Sequence, residues 1–129
     1  MESSSGLKFS HTDREGRPAM VNVASKPATL RRAGASSFLG MLPATLRALR
    51  DRTLPKGDAL TVAQIAGIQA AKETARLIPL CHALEARDIS VKLSIEENGV
   101  RIESEVETVA PTGPEMEALV ACTIAGLAL

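Results

Sequence analysis

An alternation of apolar and polar side chains is the clearest pattern in the chain. Apolar residues occupy every second position from 89 to 95. The same period continues at 100, 102 and 106, with Ser104 at the remaining position, and serine, lysine, arginine or glutamate stand between. A period of two predicts two strands that each bury one face. Asn98 and Gly99 join the two runs, and these residue types tolerate the positive φ of a tight turn. The sequence therefore predicts an antiparallel hairpin.

Helical patterns stand on both sides of this hairpin. Asp58 can cap a helix of about twenty residues, which Pro79 prevents from continuing. The many alanines of this helix leave little side-chain volume, so another backbone can approach closely. A second helix is predicted after Thr112, which is spaced as a capping box with Glu115, and its apolar run reaches Leu129.

The region before the first long helix has weaker patterns. Residues 20–23 predict a short strand that Pro27 ends, whereas the apolar run at 36–41 is too brief to assign. Pro43 stands at an expected first helical position, and leucines at 42, 46 and 49 share one face. We therefore expect a short helix there.

Helix, hairpin and helix together make most of a β-α-β-β-α-β unit. The predicted fold class is α+β, a ferredoxin-like antiparallel sheet covered on one face by two long helices. The apolar run ends at Leu129 without a C-cap, so we expect the final strand to be missing from these residues. Residues 1–17 are polar and are expected to form a flexible N-terminal arm, and residues 18–129 one domain.

Composition narrows the classes of function. Fifteen basic and fifteen acidic residues balance, which argues against a nucleic-acid partner held by net charge, and two phenylalanines without tyrosine or tryptophan argue against a base-stacking sheet. The two cysteines form no C-x-x-C motif, which is typical of a reducing compartment. No signal peptide or long apolar window is evident, so we expect a cytoplasmic protein without a membrane partner.

Cys81 and His82 are the most reactive pair of neighbours in the chain. Zinc binding is disfavoured because the usual spaced ligands are missing, and a catalytic cysteine–histidine pair is seldom adjacent in sequence. His82 as an acid–base group in a cleft is better supported. Glu115 and Glu117 lie roughly 200° apart around a helix and are not expected to share a site.

Basic side chains could meet phosphate. Lys56 lies in a glycine-containing loop before a helix, where cations often contact phosphate groups. Arg17, Arg31 and Arg32 are further possible anion contacts. For each of them, a solvated surface residue is the commoner explanation.

Three stretches carry a resemblance to a known family. They read HTDREGRPAMVNVASKPATLRRA, LPKGDALTVAQIAGIQAAKETARLIPLCHAL and TGPEMEALVACTIAGLAL. In this order and spacing they resemble the cyclic pyranopterin monophosphate synthase family of molybdenum-cofactor biosynthesis. The resemblance covers nearly the whole chain beyond residue 8.

The resemblance implies a ferredoxin-like protomer in a homohexamer, built as a trimer of dimers with active sites at the dimer interface. It implies a lyase that converts (8S)-3′,8-cyclo-7,8-dihydroguanosine 5′-triphosphate to cyclic pyranopterin monophosphate and releases diphosphate. No resident cofactor or metal ligand is expected, although Mg²⁺ could accompany the triphosphate.

The resemblance also implies roles for individual residues. Lys56 would match the catalytic lysine loop, and His82 would be the catalytic group beside the nucleotide. The positions expected to bind substrate are Leu80, Cys81, His82, Glu115 and Met116. Because diphosphate requires further positive charge, a separate hypothesis adds Arg17 or Arg31 from a neighbouring subunit to the substrate-binding set.

The chain departs from the family pattern at three positions. Asn22, Ala83 and Pro114 stand where the family usually has aspartate, proline and valine. The family also usually continues after the position of Leu129 with a Tyr-Asp-x-x-Lys segment. We therefore expect these residues to bind nucleotide but to turn it over slowly. The alternative is a truncated, non-catalytic relative that oligomerises and binds a purine nucleotide.

Overall fold

The computed structural model describes residues 9–55 and 57–129, which form a three-stranded antiparallel sheet and three helices. The elements are β1 (Thr29–Gly40), α1 (Pro43–Arg50), α2 (Ala59–Leu77), β2 (Ala86–Ile95), β3 (Gly99–Ala110) and α3 (Glu115–Ala128). Strand β3 lies between β1 and β2, and both pairings are antiparallel. The predicted α+β class with a ferredoxin-like layout is confirmed.

The predicted hairpin is β2 and β3, but the reason given for its turn was wrong. Neither Asn98 nor Gly99 has a positive φ. Gly99 is already the first residue of β3 and pairs with Gly40 of β1. A Cβ atom on Gly99 would overlap the carbonyl oxygen of Leu39, so glycine is needed there because β1 approaches closely.

Helix α2 has the start, the end and the close packing that the sequence predicts. The side chain of Asp58 accepts hydrogen bonds from the backbone N–H of Thr61 at 3.3 Å and from its hydroxyl at 2.8 Å. The helix ends at Leu77, two residues before Pro79. A Cβ on Gly67 would lie 2.9 Å from the carbonyl oxygen of Ala121, which shows how closely α3 approaches.

The predicted capping box of α3 is not formed. The helix begins at Glu115 with Pro114 as its N-cap, and no side chain caps it. Thr112 therefore lies two residues outside the cap position, too early to reach the first free N–H groups of the helix.

The first strand differs from its prediction. Residues 20–23 are irregular, and β1 instead spans twelve residues from Thr29. The inward positions of β1 include Ala33, Ala35 and Ser37, which are too small to give a strong hydrophobic period, so pairing with β3 specifies this strand. The short helix α1 is confirmed with Pro43 in its first turn.

The core lies between the sheet and the long helices. On β3, alternate side chains are buried, and these are Val100, Ile102, Ser104, Val106, Thr108 and Ala110. Facing them are Ala118, Ala121, Cys122 and Ala125 of α3. The hydroxyl of Ser104 donates to the carbonyl oxygen of Ala118 at 2.6 Å, which fixes the first turn of α3 against the sheet. In residues 9–55 and 57–129, no helix is both long enough and apolar enough to cross a membrane.

The N-terminal region is described only from residue 9 onward. Thr12 and Pro18 form an isolated antiparallel bridge that encloses a turn around Asp13. Residues 1–8 of the expected arm lie outside the described residues. The division into a flexible arm of residues 1–17 and a domain of residues 18–129 stays a prediction.

Candidate active site

A strained turn follows α2 and leads into the Cys81–His82 pair. The backbone N–H of Cys81 donates to the carbonyl oxygen of Ile78 at 3.4 Å, with Pro79 and Leu80 between them. Leu80 has φ 64°, a left-handed conformation that costs a non-glycine residue about 1–2 kcal/mol. Backbone strain of this kind concentrates at functional sites. Here it sets the direction of the chain immediately before the reactive side chains.

His82 is oriented by a backbone carbonyl from the N-terminal side of the fold. Its Nε2 lies 2.5 Å from the carbonyl oxygen of Val21. A carbonyl can only accept, so Nε2 must carry the hydrogen of the neutral imidazole. Nδ1 is then the nitrogen with a free lone pair. The residues around Val21 that were wrongly predicted as a strand thus fix the tautomer of His82.

The thiol of Cys81 lies between two acceptors. Its Sγ is 3.7 Å from Oε1 of Glu117 and also 3.7 Å from the carbonyl oxygen of His82. Burial, with the nearby carboxyl of Glu117, raises the pKa of the Cys81 thiol to about 11. At neutral pH Cys81 is therefore a thiol that donates a hydrogen bond, and not a thiolate nucleophile.

Glu117 is a candidate site residue that the sequence analysis did not include. It is only 3% exposed, in the first turn of α3, and its Oε2 has no hydrogen-bond partner among the described residues. Burial raises the pKa of this carboxyl, and the charge of Glu115 raises it further. Hydrogen bonds from its own backbone N–H and from Cys81 lower it. Burial outweighs them, so the neutral acid is favoured more than in an exposed glutamate.

The helical period explains why Glu117 is inside and Glu115 outside. Glu117 stands four residues before Ala121 and eight before Ala125, both fully buried, and so shares their stripe. Glu115 is exposed, with its carboxylate beside Gly113. The two carboxylates thus have different environments, although the charge of Glu115 still acts on Glu117, and the prediction that they do not share a site stays a prediction. A charged residue on an apolar stripe was the sequence signal for Glu117.

The other residues predicted for the site are not all brought to this cluster. Met116 is 41% exposed and lines an apolar pocket of about 380 Å³ with Leu77 at the end of α2. Arg17 pairs with Asp13 at 2.8 Å in the N-terminal turn.

Arg31 lies at the same end of the sheet as the turn after α2, opposite Thr108, which also pairs with Ala86. Its Nε donates to the hydroxyl of Thr29 at 3.0 Å, so its hydrogen-bond partner belongs to its own strand. Lys56 lies outside the described residues, and its predicted role is neither supported nor opposed.

The turn after α2 therefore brings the Cys81 thiol to the Glu117 carboxyl at the start of α3, and His82 is the next residue in that turn. Glu117 is an acid with a raised pKa, His82 is an imidazole with one nitrogen fixed as a donor, and Cys81 is a thiol. Carboxyl and imidazole groups in such environments are the usual agents of general acid–base catalysis. Within the described part of the chain, no three His, Cys, Asp or Glu side chains converge in a way that could hold a metal ion.

The fold and this cluster define a small α+β protein with a candidate acid–base site between the turn after α2 and the start of α3. The model of the MoaC family matches residues 20–129. The chain is 47% identical to a cyclic pyranopterin monophosphate synthase of Nostoc sp., over 94% of this chain and 73% of the relative. It is 48% identical to a synthase of the same name from Oleidesulfovibrio alaskensis, over 94% of this chain and 77% of the relative.

Longer proteins contain the same region. Human molybdenum cofactor biosynthesis protein 1 is 44% identical over 95% of this chain, which corresponds to 20% of the human protein. This chain belongs to the MoaC family. The family resemblance noted in the sequence is therefore confirmed.

Proposed function

We propose that this protein is a cyclic pyranopterin monophosphate synthase that acts in molybdenum-cofactor biosynthesis. In this role it is a lyase that converts (8S)-3′,8-cyclo-7,8-dihydroguanosine 5′-triphosphate to cyclic pyranopterin monophosphate and releases diphosphate. Family membership and the names of close relatives support the proposal. The structural observation that carries it is the contact of Cys81 with the buried acid Glu117, next to a histidine, His82, that the Val21 carbonyl orients.

The chemistry of the substrate matches the groups in this cluster. Rearrangement of a purine requires protons to be given to and taken from ring atoms. Glu117 supplies a proton from a buried carboxyl, and the free Nδ1 of His82 accepts one. Two groups with different environments can take the opposite roles of acid and base at one pH.

Release of diphosphate requires positive charge near the phosphates. We propose Lys56 as the catalytic lysine for this step, with Arg17 and Arg31 as contacts of the diphosphate. Arg17 would exchange its present carboxylate partners for the phosphate, because Asp13 and Glu15 now occupy its guanidinium. Leu80, Glu115 and Met116 complete the proposed substrate-binding set.

We further propose that the protein is a homohexamer built as a trimer of dimers. The support is apolar surface on the long helices that one chain of 13.6 kDa leaves uncovered. The exposed side chains are Val62, Ile65, Leu77, Met116, Leu119 and Leu127. Light scattering should give a mass six times that of the chain. A monodisperse monomer at micromolar concentration would contradict the proposed assembly.

The remaining parts of the proposal concern cofactors and location. We propose no resident cofactor, with Mg²⁺ supplied as a complex of the triphosphate. We also propose a cytoplasmic location with neither nucleic acid nor membrane as a partner. Assays with and without a chelator show whether product formation requires a divalent metal ion.

The function is tested by single-turnover incubation of the protein with the purified cyclic triphosphate. We expect cyclic pyranopterin monophosphate and diphosphate to form in equal amounts, with GTP left unchanged as a control substrate. Binding of the cyclic triphosphate without product would favour the nucleotide-binding alternative. A protein that neither binds the cyclic triphosphate nor forms product would contradict the proposal.

A further inference from the structure

We propose that Cys81 is a positioning residue for Glu117: its thiol holds Oε1 of the carboxyl and leaves Oε2 as the atom that engages the substrate. The consequence for catalysis rests on the proposed function. The contact between the two side chains does not, because it is a property of the folded chain.

The geometry supplies the first argument. Cys81 belongs to the turn after α2 and Glu117 to the first turn of α3, thirty-six positions later, yet Sγ and Oε1 are 3.7 Å apart. Glu117 is 97% buried, so its carboxyl meets few groups other than protein atoms. A single contact can therefore decide how the carboxyl is rotated about its last bond.

The unpartnered oxygen supplies the second argument. Oε2 of Glu117 is buried without a hydrogen bond among the described residues, an arrangement that costs free energy in a folded protein. Such a group is rare unless it has a ligand or a catalytic role. A substrate that offers a donor or an acceptor to Oε2 removes that cost, whereas Oε1 is already occupied.

The charge state of each partner supplies the third argument. Burial raises the pKa of Cys81 to about 11, so the thiol keeps its hydrogen throughout the physiological range. It has one hydrogen and two acceptors at 3.7 Å, the carbonyl of His82 and the carboxyl of Glu117. An ionised carboxylate accepts more strongly than a carbonyl, so the thiol favours the charged form of Glu117. Glu115 opposes it through its own charge, and His82 is the other titratable neighbour in the turn.

Three cysteine variants separate positioning from packing. Cys81→Ala removes the donor, Cys81→Ser replaces it with a hydroxyl, and Cys122→Ala is the matched control. Cys122 is the other cysteine, 2% exposed, and its thiol donates to the carbonyl of Leu119 at 3.4 Å, one turn back on its own helix. Cys122→Ala should therefore change stability without changing Glu117.

The direct readout is the titration of the Glu117 carboxyl by infrared spectroscopy, with its band assigned by its loss in Glu117→Gln. Loss of one hydrogen bond from Cys81 should move this titration upward by about 0.5 to 1 pH unit in Cys81→Ala. Cys81→Ser should return it toward the wild-type value, and Cys122→Ala should leave it unchanged. An unchanged titration in Cys81→Ala would overturn the proposal and assign the thiol hydrogen to the His82 carbonyl.

A second measurement remains decisive if Cys81→Ala does not fold. In Cys122→Ala the only S–H stretching band belongs to Cys81. We expect this band to shift as Glu117 titrates, and to lose that pH dependence when Glu117→Gln is added. An S–H stretching frequency that does not change with pH in the folded Cys122→Ala protein would contradict the proposed contact.

Kinetics then connect the contact to the proposed function. Cys81→Ala should lower kcat by about tenfold, the effect of losing one hydrogen bond, with a smaller change in KM. Because Glu117 is proposed as the acid, a higher pKa of its carboxyl should move the alkaline limb of the pH profile upward. An unchanged kcat with a shifted infrared titration would refute the catalytic consequence. Absence of turnover in the wild-type protein would refute the proposed function, while the infrared result would still judge the positioning of Glu117.

Discussion

Replacing Glu117 with glutamine is expected to stabilise the fold at high pH and to leave its stability nearly unchanged at low pH. The side chain is 3% exposed, and its burial raises the pKa of the carboxyl above the ordinary value of 4.5. Ionising it in the folded protein therefore costs free energy that the hydrated, unfolded chain does not face. Glutamine has nearly the same shape but cannot ionise.

The direction of the effect follows from proton counting. Between pH 4.5 and the pKa of the folded state, the folded protein keeps a proton that the unfolded chain has released. The contribution of Glu117 to the free energy of unfolding therefore falls as pH rises, by about 1.4 kcal/mol per pH unit, and levels off above the folded-state pKa. Above that pKa, the difference in free energy of unfolding between Glu117→Gln and wild type, relative to its value at low pH, measures the pKa shift.

Urea unfolding from about pH 4 to about pH 9 covers the relevant carboxyl range. All samples should have one protein concentration, since self-association would add to the apparent stability. Glu97→Gln is the matched control, because Glu97 is an exposed carboxylate in the β2–β3 turn. The reasoning would be refuted if the difference in free energy of unfolding between Glu117→Gln and wild type did not grow with pH, or if wild type became the more stable protein. Either result would show that the N-terminus of α3 stabilises the anion more than burial destabilises it.

Three further measurements test individual parts of the fold and site. Leu80→Gly should be more stable than Leu80→Ala by about 0.5 to 1 kcal/mol, because only glycine adopts φ 64° without strain, and the reverse order would exclude that strain. Gly99→Ala should cost about 1–3 kcal/mol because its Cβ overlaps β1. Gly40→Ala, with its nearest atom at 3.9 Å, should change stability by less than about 0.5 kcal/mol, and equal losses would contradict this packing. NMR of the imidazole nitrogens should find neutral His82 protonated at Nε2, whereas protonation at Nδ1 would contradict the Val21 contact.

The sequence predicted those elements that residues close together in the chain determine. The hairpin was visible because one face of β3 is apolar at alternate positions, and α2 because Asp58 and Pro79 mark its two ends. Strand β1 was missed because its inward side chains are small and its structure depends on pairing with β3, which is far away in sequence.

The site was only partly predictable for the same reason. Cys81 and His82 were selected as an unusual pair near a proline, and the structure places Cys81 against Glu117 and His82 against the Val21 carbonyl. Glu117 was omitted because Glu115 was assigned to a capping box and because the contact with Cys81 connects separate elements. The position of Glu117 on the alanine stripe of α3 could have identified it. No local pattern could have indicated that Val21 contacts His82.

The most direct test of the central claim is single-turnover conversion of the cyclic triphosphate by wild type, Glu97→Gln and Glu117→Gln. If the buried acid takes part in proton transfer, wild type and Glu97→Gln should form cyclic pyranopterin monophosphate at equal rates. Glu117→Gln should be slower by at least about a hundredfold, the lower range for loss of a general acid or base. Product formed by folded Glu117→Gln at the wild-type rate would contradict the assignment of the chemistry to this site.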